Sequence, residues 1–145
     1  SPNLIDELFE LRAILESDLL ARSIPLLTDD DFVRAEQTLA QLDSALQSPD
    51  HAERWPELNT AFHTCLYKAD RPQTLEMISN LNKNADRYIR MHLQMVGGIQ
   101  KASSEHLRLL ELCKMRDVPA ACAELTAHIL HAKAEIKQFL ETNRS

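Results

Sequence analysis

The sequence predicts an all-α protein, an antiparallel bundle of about six helices. Only two glycines occur in 145 residues, and the residues that lose little conformational freedom in a helix are abundant. Apolar residues recur at helical spacing, and clusters of Pro, Asp, Asn and Gly separate the periodic segments. The short connections indicate that successive helices lie antiparallel in one bundle.

The first three helices are predicted in the N-terminal half. The first covers about 3–22, and its apolar stripe contains Leu4, Leu8, Leu11, Leu15 and Leu19. The second covers about 29–47, because it starts behind Thr28 and its first turn is acidic, which suits the positive end of the helix dipole. The third covers about 55–69 and has Pro56 in its first turn.

The other three helices follow Pro72. The fourth runs from Pro72 to about 96 and stops at Gly97 and Gly98. The fifth covers about 99–116. Pro119 lies in the first turn of the sixth, which continues to about 142.

Length and charge limit the classes of protein to consider. We expect one domain over residues 1–145, because the chain is too short for two comfortable cores. The net charge is −6 and basic residues are interspersed, so this chain should not bind nucleic acid by itself. No apolar stretch predicts a membrane span or a signal peptide. Since the start "SPNLIDELFELRAILE" is helical and lacks an initiator methionine, we expect a piece of a longer protein.

Three cysteines, Cys65, Cys113 and Cys122, are an odd number at unrelated spacings. This pattern fits reduced thiols packed in a core better than a disulfide framework. It predicts a soluble, cytoplasmic protein.

Helical angles place several polar residues toward the interior. On the fifth helix His106 lies at the centre of the apolar stripe, and on the sixth His128 lies about 70° from its middle. His131 belongs to the solvent side of the same helix. Asn82 and His92 lie within about 40° of the inner axis of the fourth helix.

Asn59 and His63 lie one turn apart on the third helix, at the flank of its apolar stripe, so their side chains can converge on one point. Arg12 lies near the inner stripe of the first helix, and a buried guanidinium requires a partner. Either an ion pair with Glu16 or a ligand could provide it.

Three inward histidines and a suitably spaced asparagine favour a divalent metal site. Imidazole nitrogens and a side-chain oxygen suit Zn²⁺ or Ni²⁺. The alternative is that the histidines are core residues satisfied by hydrogen bonds, since no H-E-x-x-H or C-x-x-C motif is present.

The sequence resembles the FCD domain, the helical effector-binding domain that follows the winged helix-turn-helix in the FadR subfamily of GntR-type bacterial transcription regulators. The resemblance spans essentially the whole chain. It depends on the order and spacing of four segments: "ELFELRAILE", "LNTAFHTCLYKADRP", "EHLRLLELCKMRD" and "AACAELTAHI".

The resemblance implies a central cavity in which a divalent metal binds a small carboxylate effector. It implies as the metal's ligands Asn59, His63, His106 and His128. In that family the first ligand is more often Asp, so Asn59 removes a negative charge and should weaken metal binding. Arg12 would contact the effector carboxylate, and Asn82 and His92 would line the cavity. The resemblance also implies a homodimer, whose DNA-binding module is missing from this chain.

The favoured function is therefore an effector-sensing regulatory domain and not an enzyme. Ile5 and Phe9, beside the first helix's main stripe, offer a second apolar face for a dimer. Two alternatives remain open. A metal-dependent enzyme would need a general base, for which Asp86 and Glu105 are the nearest candidates. A metal-free helical interaction module would use the histidines as core residues.

Overall fold

The computed structural model of the protein describes residues 2–45, 48–49, 51–94 and 98–143. It contains α1 Pro2–Ser23, a 3₁₀ turn Ile24–Leu26, α2 Asp29–Ala45, α3 His51–Leu66, α4 Pro72–Leu93, α5 Gly98–Lys114 and α6 Val118–Thr142. The described ranges contain no strand, which confirms the prediction of an all-α bundle. Within the same ranges, no helix has both the length and the apolar content needed to cross a bilayer.

Most of the predicted boundaries are close to the observed ones. α1 and α6 agree with their predicted ends to within a residue or two. α2 begins at Asp29 as predicted, while the predicted end at 47 lies outside the described residues. α4 begins at Pro72 and ends at Leu93, and the predicted stop at Gly97 also lies outside them.

The third helix lies earlier in the chain than predicted. It begins at His51, so Pro56 is inside the helix and not in its first turn. It ends at Leu66, because the backbone tightens there: the N–H of Tyr67 bonds the carbonyl of Thr64 at 3.1 Å. The N–H of Ala69 donates to the Ser23 hydroxyl at 2.9 Å, which fastens the following connection to the end of α1.

The fifth helix ends at Lys114, two residues before the predicted end, in a Schellman turn. The N–H groups of Arg116 and Asp117 bond the carbonyls of Cys113 and Leu112 at 3.0 and 3.1 Å. Arg116 has a φ of 56°, a conformation that usually favours glycine. Its guanidinium donates to the carbonyls of Ile24 and Leu27 at 2.6 and 2.7 Å, and these two bonds offset the backbone strain.

The predicted leucine stripe of α1 is wrong in part. Leu4 and Leu11 are 47% and 41% exposed, whereas Ile5 and Phe9 are 1% and 0% exposed. The buried face instead contains two polar residues at its centre, Arg12 and Glu16, which neutralise each other. A pattern of apolar residues alone cannot predict this buried face, because it assigns the charged residues Arg12 and Glu16 to the solvent side.

This correction removes one argument for a dimer. Ile5 and Phe9 belong to the core of the chain, so they do not form a second apolar face. The exposed apolar side chains of α1 are Leu4, Leu11 and Ile14.

The helices pack around one shared core. α1 packs most extensively against α6 and also contacts α4, α2 packs on α3 and α5, and α5 packs on α6. The largest fully buried side chains come from all of these helices except α4: Ile5, Phe9, Leu19, Leu20, Ile24, Leu42, Trp55, Phe62, Leu66, Leu110, Leu125 and Ile129. The interior faces of α1, α3, α5 and α6 therefore meet within one core.

The three cysteines are free thiols, as predicted. Cys113 is fully buried, and burial raises the pKa of its thiol to about 12. Cys65 and Cys122 are half-buried at the edge of the core.

Asp31 closes the N-terminus of α2. Its carboxylate accepts the backbone N–H of Thr28 at 2.8 Å and the Thr28 hydroxyl at 3.0 Å, while the Asp31 N–H donates back to that hydroxyl at 3.3 Å. This reciprocal pair is a capping box with Asp in place of the usual Glu. Lys68 donates to the same carboxylate at 3.2 Å, which connects α2 to the end of α3.

The hydrogen bond from the Thr28 backbone is the largest cause that lowers the pKa of Asp31 to about 2 from 3.8. Burial opposes this shift, and the Thr28 hydroxyl and Lys68 add to it. Because the pKa is lower in the folded than in the unfolded state, the stabilisation is complete above about pH 4 and is lost as the pH falls through 2.

We predict that Asp31→Asn lowers the free energy of unfolding at pH 7 by about 1–2 kcal/mol, because Asn keeps an acceptor but loses the charge. Urea denaturation at pH 7, 4 and 2 measures the difference from the wild type, which should shrink toward pH 2. Asp30→Asn, an exposed change at the same helix end, is the matched control and should have little effect. A difference for Asp31→Asn that stays constant from pH 7 to 2 would contradict the prediction.

Candidate metal centre and ligand cavity

Three histidines from three helices meet in the core. His63 of α3, His106 of α5 and His128 of α6 each offer a ring nitrogen, and these atoms lie within 4.8 Å of one another. The ring centroids are 5.3 Å apart for His63 and His106, 5.6 Å for His106 and His128, and 6.1 Å for His63 and His128. Nitrogens bound to one ion at about 2.0–2.1 Å lie about 3.4 Å apart in a tetrahedral site, so the three imidazoles would move closer together to bind it.

Several atoms of this cluster are buried without a hydrogen-bond partner among the described residues. They are His63 Nδ1, both ring nitrogens of His106, and Asn59 Oδ1. His63 and His106 are only 6% and 1% exposed, so bulk water does not compensate. A buried polar group without a partner costs about 1–3 kcal/mol. The cluster therefore has the donor atoms of a metal site, and no hydrogen bond within the described residues satisfies them.

Burial also keeps two of the imidazoles uncharged. It lowers the pKa of His106 to about 3, with a smaller contribution from the charge of His128. Burial likewise places the pKa of His63 well below its usual range, followed by the charges of His106, His128 and Arg12. Neutral imidazole is the form that binds a metal, so at neutral pH these rings are ready to bind one.

The third ring is oriented by a carboxylate. The Nδ1–H of His128 donates to Glu105 Oε2, which leaves Nε2 as the nitrogen available to an ion. Burial would raise the pKa of Glu105, but the hydrogen bond and charge of His128, together with Lys101, lower it below its usual value. Glu105 is therefore an ionised partner of His128.

Asn59 lies one turn before His63 on α3, at the margin of the apolar face. The residue is half-buried, yet its Oδ1 is fully buried. Asn59 lines a cavity of about 580 Å³ together with Arg12, His63 and Asn82. Two of the three residues predicted to bind a ligand, Arg12 and Asn82, are thus in the wall of the same cavity as Asn59 and His63.

His92 lies elsewhere. It lines a much smaller cavity of about 40 Å³, which it shares with Arg12, Asn59 and His128. Its Nε2 is 2.8 Å from Glu135 Oε2, so His92 has a partner of its own. Since Arg12 and Asn59 line both cavities, the predicted ligand set lies at the boundary between them.

Arg12 belongs to a buried network that spans α1 and α3. Its Nε lies 3.2 Å from Glu16 Oε2, and the phenol of Tyr67 donates to Glu16 Oε1 at 2.7 Å. Burial raises the pKa of Tyr67 well above its usual value, and the neighbouring Glu16 raises it further. The guanidinium also lies 5.2 Å from the centroid of the Phe9 ring. These contacts hold Arg12 in place at the cavity wall.

Sequence reasoning missed Tyr67 and Trp55. Tyr67 lies one turn after His63, and that spacing was the available signal for it. Trp55 stacks on His106 with ring centroids 5.5 Å apart, and no pattern in its own segment indicates this contact. His131, predicted to face solvent, is exposed.

Comparisons with known proteins identify the family. Residues 7–131 match the model of the FCD domain. No curated protein matches the chain. The chain is similar to the crystal structure of a transcriptional regulator (GntR family member) from Pseudomonas syringae pv. tomato str. DC3000, with 26% identity and a TM-score of 0.82 over 98% of this chain. The match covers 59% of that regulator, so this chain spans somewhat more than half of its length. With the family model matched over most of its residues, the chain belongs to the FCD domain family.

Proposed function

We propose that this chain is the ligand-sensing domain of a GntR-family transcription regulator, and that it binds a divalent metal ion and a small organic acid within its helical bundle. Membership of the FCD family and the likeness to a GntR regulator support the sensing role. The metal proposal depends on one observation above all. Three histidines from separate helices meet with unpartnered buried atoms beside a cavity of about 580 Å³.

Four residues would hold the ion: Asn59, His63, His106 and His128. Their donors, one amide oxygen and three imidazole nitrogens, suit Zn²⁺ or Ni²⁺. When bound, such an ion supplies a Lewis-acidic centre with positions open to an oxygen ligand. Glu105 would orient His128 toward the ion through the Nδ1 hydrogen bond.

A small carboxylate would occupy the cavity, with Arg12 and Asn82 as its protein contacts. Arg12 uses Nε for Glu16, so its other nitrogens can form charge-assisted bonds to an acid. Asn82, on α4, offers an amide group in the lining of the same cavity. His92, in the smaller cavity, would act near the ion and not at the acid.

In the whole protein, the domain would act on DNA through a winged helix-turn-helix module outside this chain, within a homodimer. The length of the similar GntR regulator, of which this chain matches 59%, supports a further module. A bound acid can switch such a protein only if it binds one arrangement of the two protomers more tightly than the other.

The geometry is less favourable to an enzyme. Both carboxylates considered as a general base have partners: Asp86 lies 2.7 Å from Arg90 Nε, and Glu105 bonds His128. Conversion of candidate acids by metal-loaded protein would nevertheless favour catalysis, whereas saturable binding without turnover would favour sensing.

We predict that protein purified without a histidine tag binds about one zinc ion per chain, and that His106→Ala weakens binding by about 100-fold or more. The zinc affinity falls because the variant lacks one of the four donors. Isothermal titration and elemental analysis measure affinity and stoichiometry, and zinc at 100 times its Kd should add about 2.7 kcal/mol to the free energy of unfolding.

His131→Ala is the matched control, because this histidine is exposed on α6 and outside the cluster. It should bind zinc as the wild type does. Chelator-treated His106→Ala separates the packing cost of the substitution from the loss of metal. Equal zinc affinity in the wild type and His106→Ala would support the metal-free module instead.

We predict that Arg12 is the principal protein contact of the acid. The double variant Arg12→Gln, Glu16→Gln removes both buried charges together, which avoids leaving Glu16 ionised and unpaired. A screen of small carboxylic acids by thermal shift on zinc-loaded wild type selects a ligand. The variant should then bind that acid about 10–100-fold more weakly, since a bond to a charged group contributes about 1.5–3 kcal/mol.

The matched control is Arg22→Gln with Asp18→Asn, an exposed pair at the same spacing on α1. It should leave acid affinity unchanged. Unchanged affinity in the Arg12 and Glu16 variant as well would show that the acid does not use Arg12.

A further inference from the structure

The donor set of the proposed metal site has no charge of its own. Asn59 contributes a neutral amide oxygen, and His63, His106 and His128 contribute imidazole nitrogens. A divalent ion would therefore bring two positive charges into a space where His63 and His106 are almost fully buried. Charges in such surroundings interact far more strongly than in water, so their balance decides how well an ion is held.

Charged groups close to the donors compensate only part of this charge. Arg12 and Glu16 are buried together with 3.2 Å between Nε and Oε2, so they cancel. Glu105 is the one carboxylate that bonds a member of the donor set, within the part of the chain that the structure describes. With an ion present, this group of residues would keep about one positive charge in excess.

Arg12 lies beside the proposed donors. It lines both cavities that Asn59 lines. Glu16 balances the charge of Arg12, and the guanidinium gives an incoming anion a cationic partner beside the donors.

We propose that Asn59 makes metal and acid binding mutually dependent, because the carboxylate of the acid supplies the single negative charge that the protein donors lack. This inference rests on the proposed function and adds how the site is regulated. The ion binds less tightly alone than with the acid, and the acid binds less tightly to the metal-free protein than to the metal-loaded one. Together they form a nearly neutral buried assembly, so each raises the affinity of the other by the same factor.

Such a domain responds to the coincidence of two ligands. An aspartate at position 59 would supply the missing negative charge permanently. The metal would then bind tightly whether or not the acid is present. With Asn59 in place, the negative charge must come from an acid in solution. The acid would enter through the cavity that Asn59 and His63 both line. The residue thus determines whether the metal is structural or conditional.

The test measures the zinc Kd of the wild type by competition with a chromophoric chelator, in acetate and in acetamide at equal ionic strength. Acetamide matches acetate in size but has no charge, and the values are corrected for zinc that acetate itself binds. Acetate should lower the zinc Kd by roughly 5–150-fold. Asn59→Asp should bind zinc tightly in acetamide, with little further effect of acetate. Asn84→Asp, an exposed change to the same charge on α4, should behave as the wild type does.

The outcomes separate this inference from the proposed function. Equal zinc affinity of the wild type in acetate and acetamide would overturn the mutual dependence and leave the metal site standing. No zinc binding by the wild type in either solution would overturn both. If Asn59→Asp does not fold, the comparison of acetate with acetamide on the wild type still decides the question.

Discussion

The cost of burying imidazole and amide atoms without hydrogen-bond partners is the constraint around which this bundle is organised. His63 and His106 place such atoms in the core, and Asn59 adds a third at its margin. Because each residue of the cluster is on a helix with its own apolar face, ordinary packing brings the rings together. The fold fixes the positions of these atoms, and among the described residues their hydrogen bonding stays incomplete.

A second buried polar group of the bundle is the pair Arg12 and Glu16 on α1. Arg12 and Glu16 occupy positions that leucine would fill in a simple bundle, and Tyr67, just after α3, donates a hydrogen bond to Glu16. A buried ion pair of this kind contributes little net stability compared with apolar residues of the same volume. The pair fixes a guanidinium beside the cavity, where apolar residues of the same volume would place no charge.

The helices and most of the inward histidines could be predicted from the sequence, because periodicity determines which side of a helix is buried. His106 is at the centre of its stripe and was placed correctly. The stripe of α1 was misjudged, since Ile5 and Phe9 are buried beside charged residues that periodicity counts against burial. His128 has its partner, Glu105, on another helix, and Tyr67 reaches Glu16 from a distant part of the chain, so the periodicity of one helix cannot find these contacts.

Trp55 has a consequence for observing this protein. It is the only tryptophan in the chain, its ring is buried, and it stacks on His106 at 5.5 Å. All indole fluorescence therefore comes from within contact distance of the histidine cluster. A change in the charge or bonding of His106 alters the electronic surroundings of that one ring. The fluorescence of Trp55 therefore reports on the surroundings of His106 and the histidine cluster.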